Sequence, residues 1–470
     1  MKYDFVIIGS GPAGSTLAWK LAQNKYKIAI IDRAIHEESR FINDFFCPYI
    51  NNLPYYYSPV FSNQLGGNSA LWHGKIYLIS NKEFDKNKWG FDYYELKQFS
   101  DSLADELKFK TDTLTKVVNR DEKSYHYSYR SDLRNVYDYF KINNHENIDV
   151  FKGYSPIKLE LDNKKVTGIE VINNQNDKKS LVINSALIFC AGGLGNPHLL
   201  MNLMSNNSEK IGKFLSDHAH VNLCKIKQDE MNRYFNILKP NIKNNIKNEY
   251  INKNEELAQV FEYKNFFAGV QLDYKIDPLR KLRRFFIRIQ NIPARRFLNI
   301  FGFFVQKLNG FFAKLGLLFN KYYKYSFEFY FSQHQNSNNF VKLDEYEYDI
   351  YGLKKININW DLSSEDKKKI KYIIDYSVGY NGKLFDSNKE INFLKNFYNH
   401  GLSGLHPSCT TRIGKNQKDS VVNSDLKLHN YDNIFVCGSS VFPTNGFTNP
   451  TWTIMSLSIR LADFLKKLSS

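Results

Sequence analysis

The chain has 470 residues, of which 43% are apolar, and its formal net charge is +16 at pH 7. This length exceeds what one hydrophobic core usually fills, so we predict two domains, and the apolar fraction excludes a disordered chain. The five scattered cysteines lack a C-x-x-C spacing, which argues against a disulfide framework or a zinc site and favours a reducing cytoplasm. The short β-branched run after Met1 predicts no export signal.

The first predicted unit is a strand, a glycine turn, a helix and a second strand. Residues 3–8 form a buried strand, G-S-G-P-A-G at 9–14 leads into a helix at about 12–23, and a strand at 27–31 ends in Asp32. Such glycines permit a tight turn, close approach to a pyrophosphate, and close packing of helix on strand. The carboxylate of Asp32 could accept hydrogen bonds from a ribose hydroxyl, although Asp also commonly ends strands in turns. The pattern predicts a dinucleotide site made by Gly9, Gly11, Pro12, Ala13, Gly14, Asp32 and Arg33.

Three later segments also turn on small residues. Residues 66–74 are a second glycine-rich turn with an aromatic ring and an imidazole close behind it, and residues 187–193 and 433–440 are apolar strands that stop in glycine. Glycine allows the chain to turn sharply where the backbone of a cofactor passes. The predicted contacts are Gly66, Gly67, Asn68, Ser69, Trp72, His73, Ala191, Gly192, Gly438 and Ser439. The spacing by itself allows either NAD or FAD.

The positive charge is concentrated in residues 278–324, which hold eleven Lys or Arg and no Asp or Glu. The segment is also strongly apolar, and Lys307, Lys314 and Lys321 recur every seven residues, as on one narrow face of an amphipathic helix. Lysines through its middle argue against a membrane span. Two interpretations stay open: a helix on the surface of an anionic membrane, or a helical hairpin that covers the protein's own core or an oligomer partner. No nucleic-acid partner is predicted, because the phenylalanines cluster in pairs instead of interleaving with the charge.

Taken in order along the chain, these motifs resemble the glucose-methanol-choline (GMC) family of flavoprotein oxidoreductases. The matching strings are G-S-G-P-A-G at 9–14, G-G-N-S at 66–69, W-G-F at 89–91, A-G-G-L-G-N-P at 191–197, I-G-K-F-L-S-D-H at 211–218, and the segments 336–349, 406–414 and 433–463. The resemblance implies FAD rather than NAD. It also implies an α/β fold in which a Rossmann-type FAD-binding domain is interleaved with an α+β substrate-binding domain.

The resemblance divides the chain between these two domains. We predict the FAD-binding domain to comprise residues 1–80, 131–223 and 396–470, with the last part carrying the active site. The substrate-binding domain comprises residues 224–395, including the basic segment 278–324, and residues 81–130 connect to it on the substrate side.

The resemblance also implies an active site near the C-terminus. Alcohol oxidation moves a hydride from carbon while a proton leaves the hydroxyl, so it needs a base that titrates near neutrality, and His406 resembles the active-site histidine of the family. Asn449 resembles its partner, an amide that can donate to the same oxygen. Pro450 and Thr451 open the C-terminal helix, whose positive dipole end would face the flavin. Taken alone, His406 could instead be a structural histidine, and Asn449 could simply cap that helix.

Two departures from the family pattern limit what is carried over. Cys409 stands where the family usually has glycine. Some members tether the flavin through a histidine, and Leu71 occupies the matching position here, so we expect FAD to be bound without a covalent link, with His73 as the remaining candidate for a tether. Weaker candidates for the site are Arg412, His218, His220 and His334, and His218 is assigned to a structural turn.

The expected function is oxidation of an alcohol or a sugar, with a lipid-linked substrate as one possibility, by hydride transfer to FAD. The alternatives are a flavoenzyme of the same fold with lyase or hydroxylase chemistry, and a non-catalytic flavoprotein at a membrane. The expected location is the cytoplasm, with peripheral attachment to the inner face of the cytoplasmic membrane as a further option. The sequence predicts no metal, and it carries no motif that identifies the electron acceptor.

Overall fold

The computed structural model describes residues 1–34, 61–72, 74–109, 117–120, 123–131, 133, 135–204, 209–226, 255–263, 266–275, 324–379 and 406–469. The basic segment lies outside the described residues except for Lys324, and His73 lies outside them as well. The side chain of His220 is likewise not described.

The strands are β1 Lys2–Ile8, β2 Ile28–Asp32, β3 Lys75–Ile76, β4 Val117–Arg120, β5 Lys123–Arg130, β6 Ile148–Lys152, β7 Tyr154–Asp162, β8 Lys165–Asn173, β9 Lys178–Phe189, β10 Ala219–Ile226, β11 Glu255–Tyr263, β12 Phe266–Lys275, β13 Lys324–Phe331, β14 Phe340–Tyr348, β15 Lys354–Asn359 and β16 Ile434–Val436. The α-helices are α1 Pro12–Ala22, α2 Lys86–Trp89, α3 Tyr93–Glu106, α4 Val136–Tyr139, α5 Gly192–Leu203, α6 Ser364–Gly379 and α7 Thr451–Ser469.

The first sheet is a Rossmann-like layer with the order β6-β2-β1-β9-β8-β7, and β16 also pairs with β9. The pairs β1/β2, β1/β9, β2/β6 and β9/β16 are parallel, whereas the pairs β7/β8 and β8/β9 are antiparallel. The strand β1 is almost wholly apolar and buried because both faces of a parallel layer are covered. The predicted strand, glycine turn, helix and strand at the start of the chain are therefore present.

The second sheet is antiparallel and has the order β10-β13-β12-β11-β5-β3, with β4 beside β5. The pair β14 and β15 forms a separate antiparallel ribbon. The two sheets take their strands alternately along the chain, so the domains are interleaved. The predicted α/β fold class is confirmed, while the exact domain boundaries stay predictions.

The helix α7 ties the C-terminal part to the first domain, because it packs between α1 and α3. The indole N–H of Trp452 donates to Ser100 Oγ at 2.8 Å, and Arg460 Nε donates to Glu95 Oε1 at 2.7 Å. These bonds fix the direction of α7 and therefore the position of its N-terminus. Within the described residues, no helix combines the length and apolarity needed to cross a membrane.

Candidate active site

A cavity of about 530 Å3 lies where β1, β2, β9 and β16 end, and every one of the glycine turns reaches it. Ligands of open α/β sheets bind beyond the carboxyl ends of the strands, and this cavity lies at that end of the sheet. The predicted residues on its wall are Gly9, Gly11, Pro12, Ala13, Asp32, Arg33, Gly67, Asn68, Ser69, Trp72, Ala191, Gly192, His406, Gly438, Ser439, Asn449, Pro450 and Thr451. Gly14 and Gly66 are not on the wall.

The glycines of the first turn have two different roles: some are packed against the protein, and one faces open space. A Cβ atom at Gly14 would overlap the carbonyl oxygen of Gly9, and one at Gly9, whose φ is +103°, would lie 2.7 Å from the carbonyl oxygen of Cys190. In contrast, a Cβ atom at Gly11 would meet no heavy atom within 4 Å. Gly9 and Gly14 are therefore required by the fold, while the open space at Gly11 belongs to the cavity.

Asp32 joins the first two glycine turns. Its Oδ2 accepts from the backbone N–H and the hydroxyl of Ser10, both at 2.7 Å, and its Oδ1 accepts from Ala34 N at 2.8 Å. The hydroxyl of Ser10 in turn accepts from Gly66 N at 3.0 Å. Burial raises the pKa of the Asp32 carboxyl, while the bonds from Ser10 and Ala34 act in the opposite direction. Asp32 thus shapes the turn and presents its carboxyl to the cavity.

Arg33 holds the β14–β15 ribbon against this end of the cavity. Its Nη1 lies 2.8 Å from Asp349 Oδ2, its Nε and Nη2 donate to Ser155 Oγ, and its guanidinium lies 4.7 Å from the ring centre of Tyr351. Burial lowers the pKa of the neighbouring His198, whose Nε2 lies 2.9 Å from the carbonyl oxygen of Lys354. The positive charge of Arg33 is therefore paired within the protein.

Two buried N–H donors in and just before the second glycine turn have no acceptor among the described residues. Asn63 Nδ2 and Trp72 Nε1 are buried, make no hydrogen bond, and belong to residues on the cavity wall. A buried N–H without an acceptor is costly, so each is expected to have a partner in the complete protein. Ser69 instead serves the fold, because its hydroxyl donates to Gly66 O and accepts from Val136 N.

The glycine turn that follows β9 holds the chain next to His406 in place. A Cβ atom at Gly193 would overlap the carbonyl oxygen of Pro407, and the hydroxyl of Ser439 donates to that same oxygen at 2.8 Å. Cys409 N donates to the carbonyl oxygen of Ser439 at 3.1 Å. The residues that follow His406 are therefore held against both the β9 turn and the β16 turn.

His406 lies on the cavity wall and contacts a second imidazole. Its Nδ1 is 3.3 Å from His218 Nδ1, and the ring centres are 4.9 Å apart at an interplanar angle of 62°. Asp217 Oδ1 accepts from the backbone N–H groups of both His218 and His406, at 2.7 and 3.1 Å. The sequence assigned His218 to a structural turn, and the structure places it next to the candidate base.

Asn449 and Pro450 lie on the same wall, immediately before α7. The carbonyl oxygen of Pro450 accepts from Ile454 N at 2.9 Å, so Pro450 occupies the capping position and the helix begins one residue later than predicted. The predicted cap at Asn449 is therefore wrong by one position. The amide of Asn449 makes no hydrogen bond to another described residue, and Asn449 lines the cavity.

The loop that carries Asn449 is anchored by a buried carboxyl group. Glu83 Oε1 accepts from Phe447 N at 3.1 Å, and Oε2 accepts from the hydroxyl of Ser80 at 2.8 Å. Burial raises the pKa of Glu83 to about 7. The sequence offered no signal for Glu83, since a single acidic residue in a polar stretch has an ordinary explanation on the surface.

The remaining weaker candidates have structural partners. The guanidinium of Arg412 stacks 3.6 Å from the ring centre of Phe214, and His334 Nδ1 lies 2.7 Å from Asp366 Oδ1. Cys409 is buried, and burial raises the pKa of its thiol to about 12, which disfavours the nucleophilic thiolate. No group of three or more metal-ligating side chains occurs in the part of the chain that the structure describes.

The residues on the wall fit a flavin dinucleotide. The space at Gly11 and Gly192, where a Cβ atom would meet nothing within 4 Å, admits a pyrophosphate close to the backbone. Asp32 is placed for a ribose hydroxyl, and Asn63 and Trp72 offer donors that have no acceptor in the part of the chain that the structure describes. His406 and Asn449 lie on the wall of the same cavity and belong to a different part of the chain.

Comparison with known families gives two matches. Residues 335–458 match the family model described as GMC oxidoreductase, and residues 7–36 match a NAD(P)-binding Rossmann-like domain. The first match contains both His406 and Asn449, and the second contains the first glycine turn and Asp32.

Curated relatives align over short stretches. The 2-methyl-1,2-propanediol dehydrogenase of Mycolicibacterium austroafricanum is 30% identical over 132 residues, which is 27% of this chain and 23% of that protein. The dehydrogenase str4 of Strobilurus tenacellus is 37% identical over 67 residues, or 14% of this chain and 11% of that protein. The chain thus matches less than a quarter of the length of either relative.

Solved structures align over the whole chain. A variant of the Aspergillus oryzae formate oxidase, studied for modification of its FAD, has a TM-score of 0.63 at 15% identity and covers 99% of this chain and 98% of its own. A FAD-dependent oxidoreductase from Chaetomium thermophilum has a TM-score of 0.60 at 14% identity, with 99% of both chains covered. At this identity the likeness concerns the fold.

Proposed function

We propose that this chain, a FAD-dependent oxidoreductase that carries the C-terminal domain of the GMC oxidoreductases, oxidises the CH–OH group of a small alcohol with His406 and Asn449. The predictions of a GMC resemblance, of FAD as cofactor and of an oxidoreductase are confirmed. The roles of the two residues and the substrate are our proposal. The observation that carries it is that His406 and Asn449 share one cavity with all the glycine turns.

His406 takes the proton of the substrate hydroxyl. Imidazole suits this step because its unperturbed pKa lies near neutrality, where it can accept a proton and later release it. Asn449 donates a hydrogen bond to the same oxygen, so two groups orient the C–H bond that breaks. Bound FAD supplies the acceptor for the hydride. The alcohol is thereby oxidised to a carbonyl compound, and its hydroxyl proton resides on His406.

The N-terminus of α7 would stabilise negative charge that develops at the reacting site. This helix has 19 residues, begins at Thr451 and has its first turn on the cavity wall. The partial positive charge of a helix N-terminus favours negative charge close to it. The same helix therefore positions Asn449 and adds electrostatic stabilisation.

FAD is held without a covalent link in this proposal. Leu71 lies on the cavity wall and carries no group that could form a bond to a flavin. Treatment of the yellow protein with acid should release all of the flavin into the supernatant. Flavin that remains with the precipitated protein would assign a covalent link, with His73 as the candidate.

The substrate is a small alcohol with an apolar portion. Aromatic side chains of Tyr77, Tyr330 and Phe447 lie on the wall of the cavity that holds His406 and Asn449, and apolar walls favour an apolar body. The relative from Mycolicibacterium austroafricanum is named for a branched diol, which supports the same substrate class. A sugar is the alternative substrate.

The test is anaerobic mixing of the flavin-loaded protein with a panel of alcohols, diols and sugars while the flavin absorbance is followed. We expect branched alcohols and diols to bleach the flavin at lower concentrations than sugars do. If no member of the panel bleaches it, the proposed function is wrong. If sugars act first, the substrate class is wrong and the reaction stands.

We further propose that residues 278–324 attach the protein to an anionic membrane, on the inner face of the cytoplasmic membrane. The support is the sequence alone, in which eleven basic residues share a strongly apolar stretch. The protein should float with anionic liposomes at low salt and remain below neutral ones. A variant with Lys307→Gln, Lys314→Gln and Lys321→Gln together keeps the apolar face and should float less. Absence of flotation with anionic liposomes at low salt would contradict this proposal.

A further inference from the structure

The contact between His406 and His218 restricts where their protons can lie. The two Nδ1 atoms are 3.3 Å apart, so one must donate and the other must accept. On its other side, His218 Nε2 is 3.1 Å from the carbonyl oxygen of Asn445. A carbonyl oxygen only accepts, so His218 carries its proton on Nε2.

This assignment fixes the tautomer of His406. A neutral His218 with a proton on Nε2 has a lone pair on Nδ1 and can only accept there. His406 must then donate from its own Nδ1. A neutral His406 with a proton on Nδ1 has its lone pair on Nε2. The hydrogen-bond order is therefore His406 Nδ1 to His218 Nδ1, and His218 Nε2 to Asn445 O.

The backbone holds the two imidazoles in this order. Asp217 is fully buried, and its Oδ1 accepts from the N–H groups of both His218 and His406. His218 is itself 3% exposed, so water does not compete for its ring. Asn445 is fixed as well, because its Oδ1 accepts from Gln333 N at 3.0 Å. The acceptor for His406 is thus built by parts of the chain that lie far apart in sequence.

We propose that His218 is a positioning residue that holds His406 in the tautomer whose Nε2 acts as the base. The inference rests on the proposed function and names the atom that takes the proton. The substrate O–H bond breaks, and its proton goes to the lone pair of His406 Nε2. The C–H bond breaks with its electron pair, which passes as hydride to the FAD of the proposed reaction. The resulting imidazolium keeps its Nδ1–H directed at His218 Nδ1.

Two carboxamide substitutions test the roles of the two nitrogens of His218 separately. The side-chain oxygen of asparagine can occupy the position of Nδ1, so His218→Asn keeps an acceptor for His406. The amide nitrogen of the longer glutamine can occupy the position of Nε2, so His218→Gln keeps the bond to Asn445 O and removes that acceptor. Both variants place a carboxamide in the same pocket.

The direct measurement is 15N NMR of histidine side chains in the flavin-loaded protein, in which the His406 signals are assigned by their loss in His406→Ala. We expect the proton on Nδ1 of His406 in the wild type and in His218→Asn. We expect the proton to move to Nε2 in His218→Gln. A wild-type His406 protonated on Nε2 would overturn the proposal, and so would a His218→Gln protein whose His406 keeps the Nδ1 proton.

The kinetic measurement is the rate of flavin reduction by an alcohol that reduces the wild type. We expect a loss of about 10²-fold for His218→Gln and less than about 10-fold for His218→Asn, because a misplaced base loses most of a general-base contribution. If both variants contain equal amounts of FAD, a difference in their rates reflects the positioning of His406 and not the stability of the protein. Equal rates in both variants would contradict the proposal. If no alcohol reduces the wild type, the proposed function fails, and the NMR result still decides the tautomer.

Discussion

The carboxylate of Glu83 accepts the backbone N–H of Phe447 at 3.1 Å, although the two residues lie 364 positions apart in the chain. Phe447 precedes Asn449 by two residues. A buried acid from the first half of the chain therefore holds the loop that carries a candidate catalytic amide. The burial that raises the pKa of Glu83 also makes this contact sensitive to pH.

Glu83 should give the protein a pH-dependent stability. Its pKa is about 7 in the folded protein and near 4.5 in the unfolded chain, so between these values only the folded protein binds the proton. The contribution of this proton to the free energy of unfolding therefore decreases by about 3 kcal/mol as the pH rises through this range. The Glu83→Gln variant has no titratable group at this position. In urea unfolding, its stability relative to the wild type should therefore increase with pH, and the variant should be the more stable of the two towards pH 8. A stability difference that does not change with pH would contradict this.

Gly11 and Gly14 should respond differently to the same substitution. Gly11→Val should fold, since its φ is −62° and its Cβ would meet no heavy atom, but it should purify without flavin because the side chain fills the cavity. Gly14→Val should fail to fold, because its Cβ overlaps the carbonyl oxygen of Gly9. Thermal unfolding of both apoproteins and the flavin absorbance of the purified variants measure the two effects. A Gly11→Val protein with a full complement of FAD would refute the assignment of this space to the cofactor.

Cys409 should be under backbone strain that glycine would relieve. Its φ is +70°, a conformation that costs a side-chain-bearing residue about 1–2 kcal/mol. Cys437 is equally buried and is not among the described residues with positive φ. Cys409→Gly should therefore destabilise the protein by about 1–2 kcal/mol less than Cys437→Gly does, as measured by urea unfolding. Equal losses in the two variants would show that Cys409 is not strained.

Asn449→Ala should impair chemistry and leave the helix intact. Loss of one donor to the reacting oxygen should slow flavin reduction by about 10²-fold. Stability should be unchanged, because the first acceptor of α7 is the carbonyl oxygen of Pro450. A loss of about 1 kcal/mol with normal turnover would instead identify Asn449 as a helix cap.

Most of the fold prediction came from local sequence patterns. The strand ending at Ile8, the turn at Gly9 and the carboxylate at Asp32 lie within one supersecondary unit, so spacing alone located them. The start of α7 was missed by one residue because Asn449 is a good cap by type, and only the carbonyl of Pro450 shows where the helical bonds begin.

Contacts between distant residues could not be predicted. Arg33 meets Asp349 across 316 positions and His406 meets His218 across 188, and no periodicity in a single sequence reports such pairs. The sequence therefore predicted His406 and Asn449, which both lie on the cavity wall, and it missed the groups that hold them. In the sequence, Glu83 and His218 are ordinary polar residues, and only the fold shows that Glu83 bonds to Phe447 and that His218 contacts His406.

Anaerobic single-turnover reduction of the flavin tests the central claim most directly, with wild type and His406→Ala compared at equal FAD content. We expect an alcohol to bleach the wild-type flavin, and His406→Ala to retain its oxidised spectrum while reducing about 10²–10⁴-fold more slowly. Equal reduction rates in the two proteins would contradict the role of His406 as the base.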